Sequence, residues 1–342
     1  MKAIVMEEPG KLVFRDVPDV SPGTGEVKLK IRATGICGSD IPGFLGISGR
    51  RIPPMIMGHE FSGEVVELGE GCGELKIGDR VSAFPHYWCG KCENCLSGYD
   101  HMCVHKRSYG VLDTDGAFAE YLCVPENSCF KLGDDISYEI GSMMEPLAVS
   151  YRAVNKGGDL KGKTVFLVGT GTIGLMALAC IASQEPALVM VSDVSDTRLE
   201  FAKKVCPGVV TINAARENVE EVVKAHTDGK GAQVCFEAVG AGPTTKQTID
   251  AAGHAATVVW VGMNKPIIET SMMSIVTKEL CIKGSFLYSR KEFGEAVAMI
   301  NSGRIRIDAL ISRVAPLEEG VEIMYDMAKD ASGVIKVILA QN

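Results

Sequence analysis

Long apolar runs are missing from this chain: no stretch of its 342 residues approaches the roughly 20 apolar residues that a membrane-spanning helix needs. The opening, MKAIVMEEPGKLVF, carries acidic residues where a signal peptide requires an apolar core, so a cytoplasmic location is expected. Positive charge is also scarce. Thirty-five Lys and Arg stand against 43 Asp and Glu, giving a formal net charge of -8, and no basic stripe or RNA-reading aromatic motif occurs. A nucleic-acid partner is therefore not expected. Internal repeats, low-complexity segments and flexible linkers are absent too, and ordinary shares of charged (23%) and hydrophobic (46%) residues leave no room for a long disordered region.

What is present is length and cysteine. A chain of 342 residues exceeds one small core and predicts two domains. Twelve cysteines would suit a disulfide scaffold in a short secreted chain, but a reducing compartment keeps thiols free, which makes metal the better reading. Cys89, Cys92, Cys95 and Cys103 follow C-x2-C-x2-C-x7-C within a polar loop that also holds Gly90, Lys91, Glu93 and Asn94. Four thiolates on tight turns form a closed tetrahedral zinc cage with no position left for substrate, so this site is structural. An iron–sulfur cluster also takes four thiolates, but the C-x3-C-P ending of the two-cluster ferredoxin run is absent. Cys72, Cys123, Cys129, Cys180, Cys206, Cys235 and Cys281 are scattered singly and read as buried thiols.

A catalytic metal needs fewer protein ligands and a vacancy. TGICGSD offers Cys37 with Ser39 and Asp40, and IMGHEFSGEVVELG offers His59 and Glu60 in a glycine-flanked turn leading into a strand. Taken singly, Cys37 also reads as an inert thiol and His59 as a hydrogen-bonded core histidine.

Residues 163–193 carry a second kind of signal. The β-rich run KTVFLVG is followed by GTGTIG and then by the apolar helix LMALACIAS. Gly169, Gly171 and Gly174 fit G-x-G-x-x-G at a strand-to-helix turn, where backbone amides, with those of Thr172 and Ile173 among them, and the helix N-terminus meet a pyrophosphate. Asp193 ends the next strand, 19 positions after Gly174, where a carboxylate grips ribose hydroxyls and repels the extra phosphate of NADP, favouring NAD. Arg198 lies just beyond and could accommodate that phosphate, or is a solvated residue of the helix DTRLEFAKKV. AQVCFEAVG and ATVVWVGM read as further buried parallel strands, with helical segments around 215–226 and 243–253, giving a doubly wound α/β sheet. ELCIKGSF adds an edge strand. The first 147 residues, with short strand-like runs and many Gly and Pro, read as an irregular β domain.

GICGSD, MGHEFSGEVVELGEG, IGDRV, the cysteine loop, GAFAEYLCVP, EPLAV and VGTGTIGLMA appear in the order found in the zinc-containing medium-chain dehydrogenase/reductase family. The resemblance runs from the first residues to GVIKVIL, and is nearest to the branch of sorbitol and other polyol, threonine and butanediol dehydrogenases. CGSD followed by Ile41 and Pro42 is similar to hexitol-phosphate dehydrogenases. The resemblance implies a discontinuous GroES-like catalytic domain of residues 1–147 and 287–342 around a Rossmann domain of residues 148–286, with the active cleft between the lobes. It also implies an edge strand paired across subunits in a homodimer or homotetramer. Two zinc ions per chain follow, one structural and one catalytic.

For the catalytic ion the resemblance implies Cys37 and His59 as ligands, Glu60 in or beside the set, and Glu145 completing it directly or through water. Asp40 would orient the ligand histidine, and Ser39 would take the proton of an alcohol substrate. The family's onward relay often uses a histidine where this chain has Pro42, so water, the cofactor ribose or Glu60 has to serve instead. Phe44, Tyr109, Phe118, Leu287 and Tyr288 are pocket walls by family position, or core packing.

The expected activity is zinc-assisted, NAD-dependent oxidation of a secondary alcohol, a polyol or vicinal diol, to the ketone. Threonine, or a phosphorylated or sulfonated polyol served by Arg50, Arg51, Arg107 or Arg290, is the alternative; VLDTDGAFAEY lacks the arginine pair that hexitol-phosphate dehydrogenases tend to show. A zinc-free quinone or enoyl reductase would lack both metal sets, and a non-catalytic scaffold would have lost ligands or glycines; this chain has lost neither.

Overall fold

In the computed structural model, which describes residues 1–331 and 333–341, the chain divides into two compact units. Met1–Glu145, Tyr288–Gly303 and Ile311–Asn342 form the first, and Pro146–Leu287 with Arg304–Leu310 the second. The segment Arg304–Leu310 thus departs from the 287–342 assignment made on sequence. Its Ile305, Ile307 and Leu310 are buried, and the Arg304 guanidinium donates to the Ser183 carbonyl of the second unit.

The first unit is built on a seven-stranded sheet whose centre is Glu26–Ile36. Its alternating apolar residues Val27, Leu29 and Ile31 are fully buried against Phe61, Val65, Val81 and Val124, each large side chain contributing roughly 1.5–3 kcal/mol by leaving water. Glu60–Leu68 pairs antiparallel along one side of this strand, and on the other side Tyr121–Pro125 takes its first half and Lys336–Ala340 its second. A second cluster gathers Ile4, Met6, Ile36, Phe44, Met57, Phe118 and Leu339. The cysteine loop hangs from a two-stranded ribbon, His86–Tyr87 with Arg107–Ser108.

The second unit is a six-stranded parallel sheet. From one edge its strands run Val210–Asn213, Leu188–Asp193, Thr164–Val168, Ala232–Glu237, Ala252–Trp260 and Cys281–Gly284. In chain order this is 3-2-1-4-5-6, the doubly wound arrangement whose ligand site lies beyond the strands' carboxyl ends. Residues 215–226 and 243–253 supply the helices Val219–Ala225 and Gly242–Ala251. Cys281–Gly284 is the edge strand, and Cys281 is exposed on it, so the reading of all scattered cysteines as buried fails there; Cys180 and Cys235 are enclosed.

Candidate metal and dinucleotide sites

Strand register assembles the first site. Gly35 pairs with Glu60 and Ile36 with Val337, so Cys37, His59, Glu60 and Lys336 arrive together at the ends of three adjacent strands. Gly58 turns the chain into His59 with φ +96°, a left-handed conformation that suits glycine, and a Cβ there would also meet the Phe118 amide nitrogen at 2.9 Å. Donor atoms of Cys37, His59 and Glu60 lie within 4.8 Å of one another. Glu145, at the start of the helix Met144–Lys156, stands outside that trio and its Oε1 accepts a hydrogen bond from the Tyr288 hydroxyl at 2.9 Å.

The surrounding charges are paired. Asp40, fully buried, accepts from the Cys37 amide (3.0 Å) and from Arg51 Nη2 (2.8 Å), and its Oδ1 faces His59 Nδ1 at 3.6 Å. Both oxygens of Glu60 are held by Lys336 Nζ at 2.9 and 2.7 Å, and the same ammonium donates to the Ile36 carbonyl at 3.1 Å. Glu60 is therefore an enclosed, ion-paired carboxylate, which does not suit the free proton acceptor expected beyond Pro42. The Ser39 hydroxyl, exposed, donates to Cys37 Sγ at 3.3 Å.

Burial alone would lower the pKa of His59, but Asp40 and Cys37, with Glu145 adding to them, hold it up at about 10. Glu145 is raised to about 7 by burial, with His59 opposing and Glu60 reinforcing the rise. A histidine that anions drive to bind a proton is a histidine that those anions also make ready for a cation. Its Nδ1 is buried without a hydrogen-bond partner in the described structure. That nitrogen faces Asp40, and the thiol of Cys37, the imidazole of His59 and the carboxylate of Glu60 together form a donor set that fits zinc.

The cysteine cage passes a stricter test. Sulfur–sulfur separations are 4.0 Å for Cys89–Cys95, 3.5 Å for Cys92–Cys95, 3.9 Å for Cys92–Cys103 and 3.5 Å for Cys89–Cys103. A tetrahedron with Zn–S bonds of about 2.3 Å has edges of about 3.8 Å. Backbone amides of Cys95 and Val104 draw Cys92 down to about 6, whereas burial and the neighbouring thiols push Cys95 up to about 12. The four sulfurs are thus already clustered as one ion would hold them.

In the second unit, the glycine turn follows Thr164–Val168 and opens the helix Thr172–Ala182. Gly169 has φ +91°, and a Cβ on Gly174 would collide with the Gly169 carbonyl oxygen. Gly171 is different: a Cβ there would meet no atom of the described residues within 4 Å, so its space is open to a ligand at the helix start. Thr172 and Ile173 form the first residues of that helix. Asp193 Oδ2 accepts from the amide and hydroxyl of Thr170, and its Oδ1 from the Ser195 amide. The carboxylate expected to grip ribose therefore also buttresses the glycine turn. Arg198 is half-buried rather than solvated, and its Nε is enclosed without a hydrogen-bond partner among the described residues.

Lys336, the tie of Arg51 to Asp40 and the Tyr288–Glu145 bond were not legible in the sequence; Arg51, expected as a cation for a substrate phosphate, is instead buried and bonded to Asp40. A lone lysine in the apolar run GVIKVIL was the available signal for the first; SGRRIPP gave none for the second. Phe44 and Phe118 are fully buried in the cluster around Ile4 and Met6, and Tyr109 packs edge-on against Phe61, so these three serve as packing. Tyr288 is likewise enclosed, among Phe84, His86 and Phe293.

Residues 23–134 match the family model for the alcohol dehydrogenase GroES-like domain, and residues 172–302 that for zinc-binding dehydrogenases. The chain is 33% identical to D-xylulose reductase A of Aspergillus niger, covering 99% of this chain and 96% of the relative. It is also 33% identical to sorbitol dehydrogenase of Halalkalibacterium halodurans, covering 99% of each. Among solved structures, a zinc-binding dehydrogenase from Sinorhizobium meliloti bound to NADP superposes with a TM-score of 0.92 at 30% identity over 99% of both chains. Galactitol-1-phosphate dehydrogenase from Escherichia coli gives 0.91 at 28% identity over the full length of both. This chain belongs to the zinc-binding alcohol dehydrogenase family. It is an oxidoreductase with a GroES-like domain and a Rossmann domain that acts on a small molecule, and no helix among its described residues is long and apolar enough to cross a membrane.

Proposed function

We propose that the protein catalyses reversible oxidation of a secondary alcohol of a polyol or vicinal diol to the ketone. The observation that carries this reading is the convergence of Cys37, His59 and Glu60 donor atoms within 4.8 Å beside the exposed Ser39 hydroxyl. Cys37 and His59, with Glu60 or Glu145, would hold the catalytic zinc, and Cys89, Cys92, Cys95 and Cys103 the structural one. When bound, zinc supplies Lewis acidity to an alcohol oxygen and NAD supplies the hydride acceptor.

The chain's own groups do the rest. Asp40 orients His59 through Nδ1, fixing which nitrogen faces the metal. Ser39 receives the proton of the alcohol and passes it to solvent, with Pro42 offering no onward acceptor. Gly169, Gly171 and Gly174, with the amides of Thr172 and Ile173, seat the pyrophosphate, and Asp193 favours an unphosphorylated ribose. The enclosed Arg198 nitrogen awaits a ribose oxygen.

The names of the relatives, xylulose reductase and sorbitol dehydrogenase, support the polyol class. A phosphorylated polyol is the second reading, supported by the galactitol-1-phosphate dehydrogenase likeness, with the exposed Arg50 as a candidate cation. The exposed Met263, Ile267, Met272 and Met273 precede the edge strand and support a homodimer or homotetramer, and the free cysteines suit a reducing compartment such as the cytoplasm.

Cofactor reduction against polyols, diols, their phosphates and threonine tests the substrate. C37A and H59A test the metal: each is expected to lose turnover and one zinc ion while binding NAD as before. Undiminished turnover in either variant refutes the assignment.

A further inference from the structure

Arg51 is 3% exposed, an unusual depth for a guanidinium in the loop SGRRIPP. Room for it is made by Gly43, where a Cβ would come within 2.9 Å of the Arg51 Cγ, so the alkyl stem lies on the short helix Asp40–Phe44. At the far end Nη1 donates to the Arg50 carbonyl at 3.2 Å and Nη2 to Asp40 Oδ1 at 2.8 Å. Burying an arginine is unfavourable unless a charge answers it, and the charge here is a carboxylate that is itself fully buried.

That carboxylate is divided between tasks. Its Oδ2 takes the Cys37 amide at 3.0 Å, and its Oδ1 lies 3.6 Å from His59 Nδ1 while bonded to Arg51. Without the guanidinium, Oδ1 would lose its hydrogen-bond anchor, and the buried anion would be left facing His59 alone. On the opposite flank Lys336 serves Glu60 in the same way, and like Arg51 it also donates to a backbone carbonyl, that of Ile36.

We infer that Arg51 is a positioning residue for the catalytic metal site, acting through Asp40 to hold Oδ1 toward His59. The inference rests on the zinc reading above and adds to it a residue that never touches the metal. Groups one step removed from a metal ligand typically govern its affinity by 10–100-fold.

The test is zinc content after dialysis against graded chelator, for wild type, R51M, R51K, D40N and the R51M/D40N double variant. Wild type is expected to hold two zinc ions. R51M is expected to give up one of them at about tenfold lower chelator while the cysteine cage keeps the other, an asymmetry that general unfolding would not produce. R51K, with charge but no fork, should fall between the two. The double variant should be no worse than D40N, since both changes cut the same link.

Equal retention of both ions by wild type and R51M would overturn the inference alone, as would losses that add fully in the double variant. If R51M does not fold, R51K decides: selective loss of one ion supports the inference, and wild-type retention overturns it. A wild type that binds one zinc, removed by C92S, would overturn the zinc reading and this inference with it.

Discussion

Replacing Lys336 with methionine would test whether the two enclosed charges at the ends of the central strands depend on one another. Lys336 is 2% and Glu60 0% exposed, and the ammonium spends all three protons on Glu60 Oε1, Glu60 Oε2 and the Ile36 carbonyl. K336M keeps the stem's volume and leaves an anion and a carbonyl without their donor. Breaking a buried pair from one side costs about 3–5 kcal/mol. With a urea slope of about 3 kcal/mol/M, the midpoint of the first unit should fall by roughly 1–1.7 M. Trp88 belongs to the first unit and Trp260 to the second, so in a W260F background the fluorescence of Trp88 reports the first alone. E60Q/K336M, which removes both charges, should recover at least half of the loss. A K336M midpoint within about 0.3 M of its parent, or a double variant as weak as the single one, would refute the reasoning.

Three further outcomes follow from particular contacts. His86 is lowered to about 3 by burial, with Lys106 and His59 adding to it, against about 6.5 in an unfolded chain. Between those values the unfolded state carries a proton that the folded one lacks, so stability should fall as pH drops below 6.5, by up to about 1.4 kcal/mol per unit; H86Q should flatten the change in urea midpoint between pH 6.5 and 5, and an unaltered slope rejects the assignment. G174A, whose methyl would collide with the Gly169 carbonyl, should weaken NAD binding at least tenfold in calorimetry, whereas G171A leaves the fold intact and impairs binding alone. C92S should lower the zinc content from two to one and the melting temperature with it, and two ions retained would discredit the cage.

The parts of the molecule legible in its sequence were those whose chemistry is local. Four cysteines within fifteen residues, and three glycines between a strand and a helix, fix their own geometry through turns of a few residues. Cys37 and His59 were suggestive only in company, because the register that pairs Gly35 with Glu60 brings them together. Arg51 and Lys336 were out of reach for a stronger reason: each answers a carboxylate through a contact that depends on tertiary packing, 11 and 276 residues away in the chain. Tyr288 shows the same limit from the other side. Its position suited a pocket wall or core packing equally; its ring is enclosed and its hydroxyl is spent on Glu145. The boundary at residue 303 escaped because Ile305 and Ile307 look like any apolar pair until the unit that buries them is known.

The strand Lys336–Ala340 lies beside Glu26–Ile36, although some three hundred residues separate them in synthesis. While the ribosome is still making the middle of the protein, the second half of that early strand presents unpaired amides and carbonyls, the kind of edge that invites pairing with another chain. The same late segment delivers the only ammonium bonded to Glu60 among the described residues. A nascent chain therefore carries the Cys37 thiol and the His59 imidazole long before their flank is neutralised, and a truncated one never completes it. Premature termination anywhere before Lys336 should yield inert protein prone to self-association, however intact its dinucleotide half.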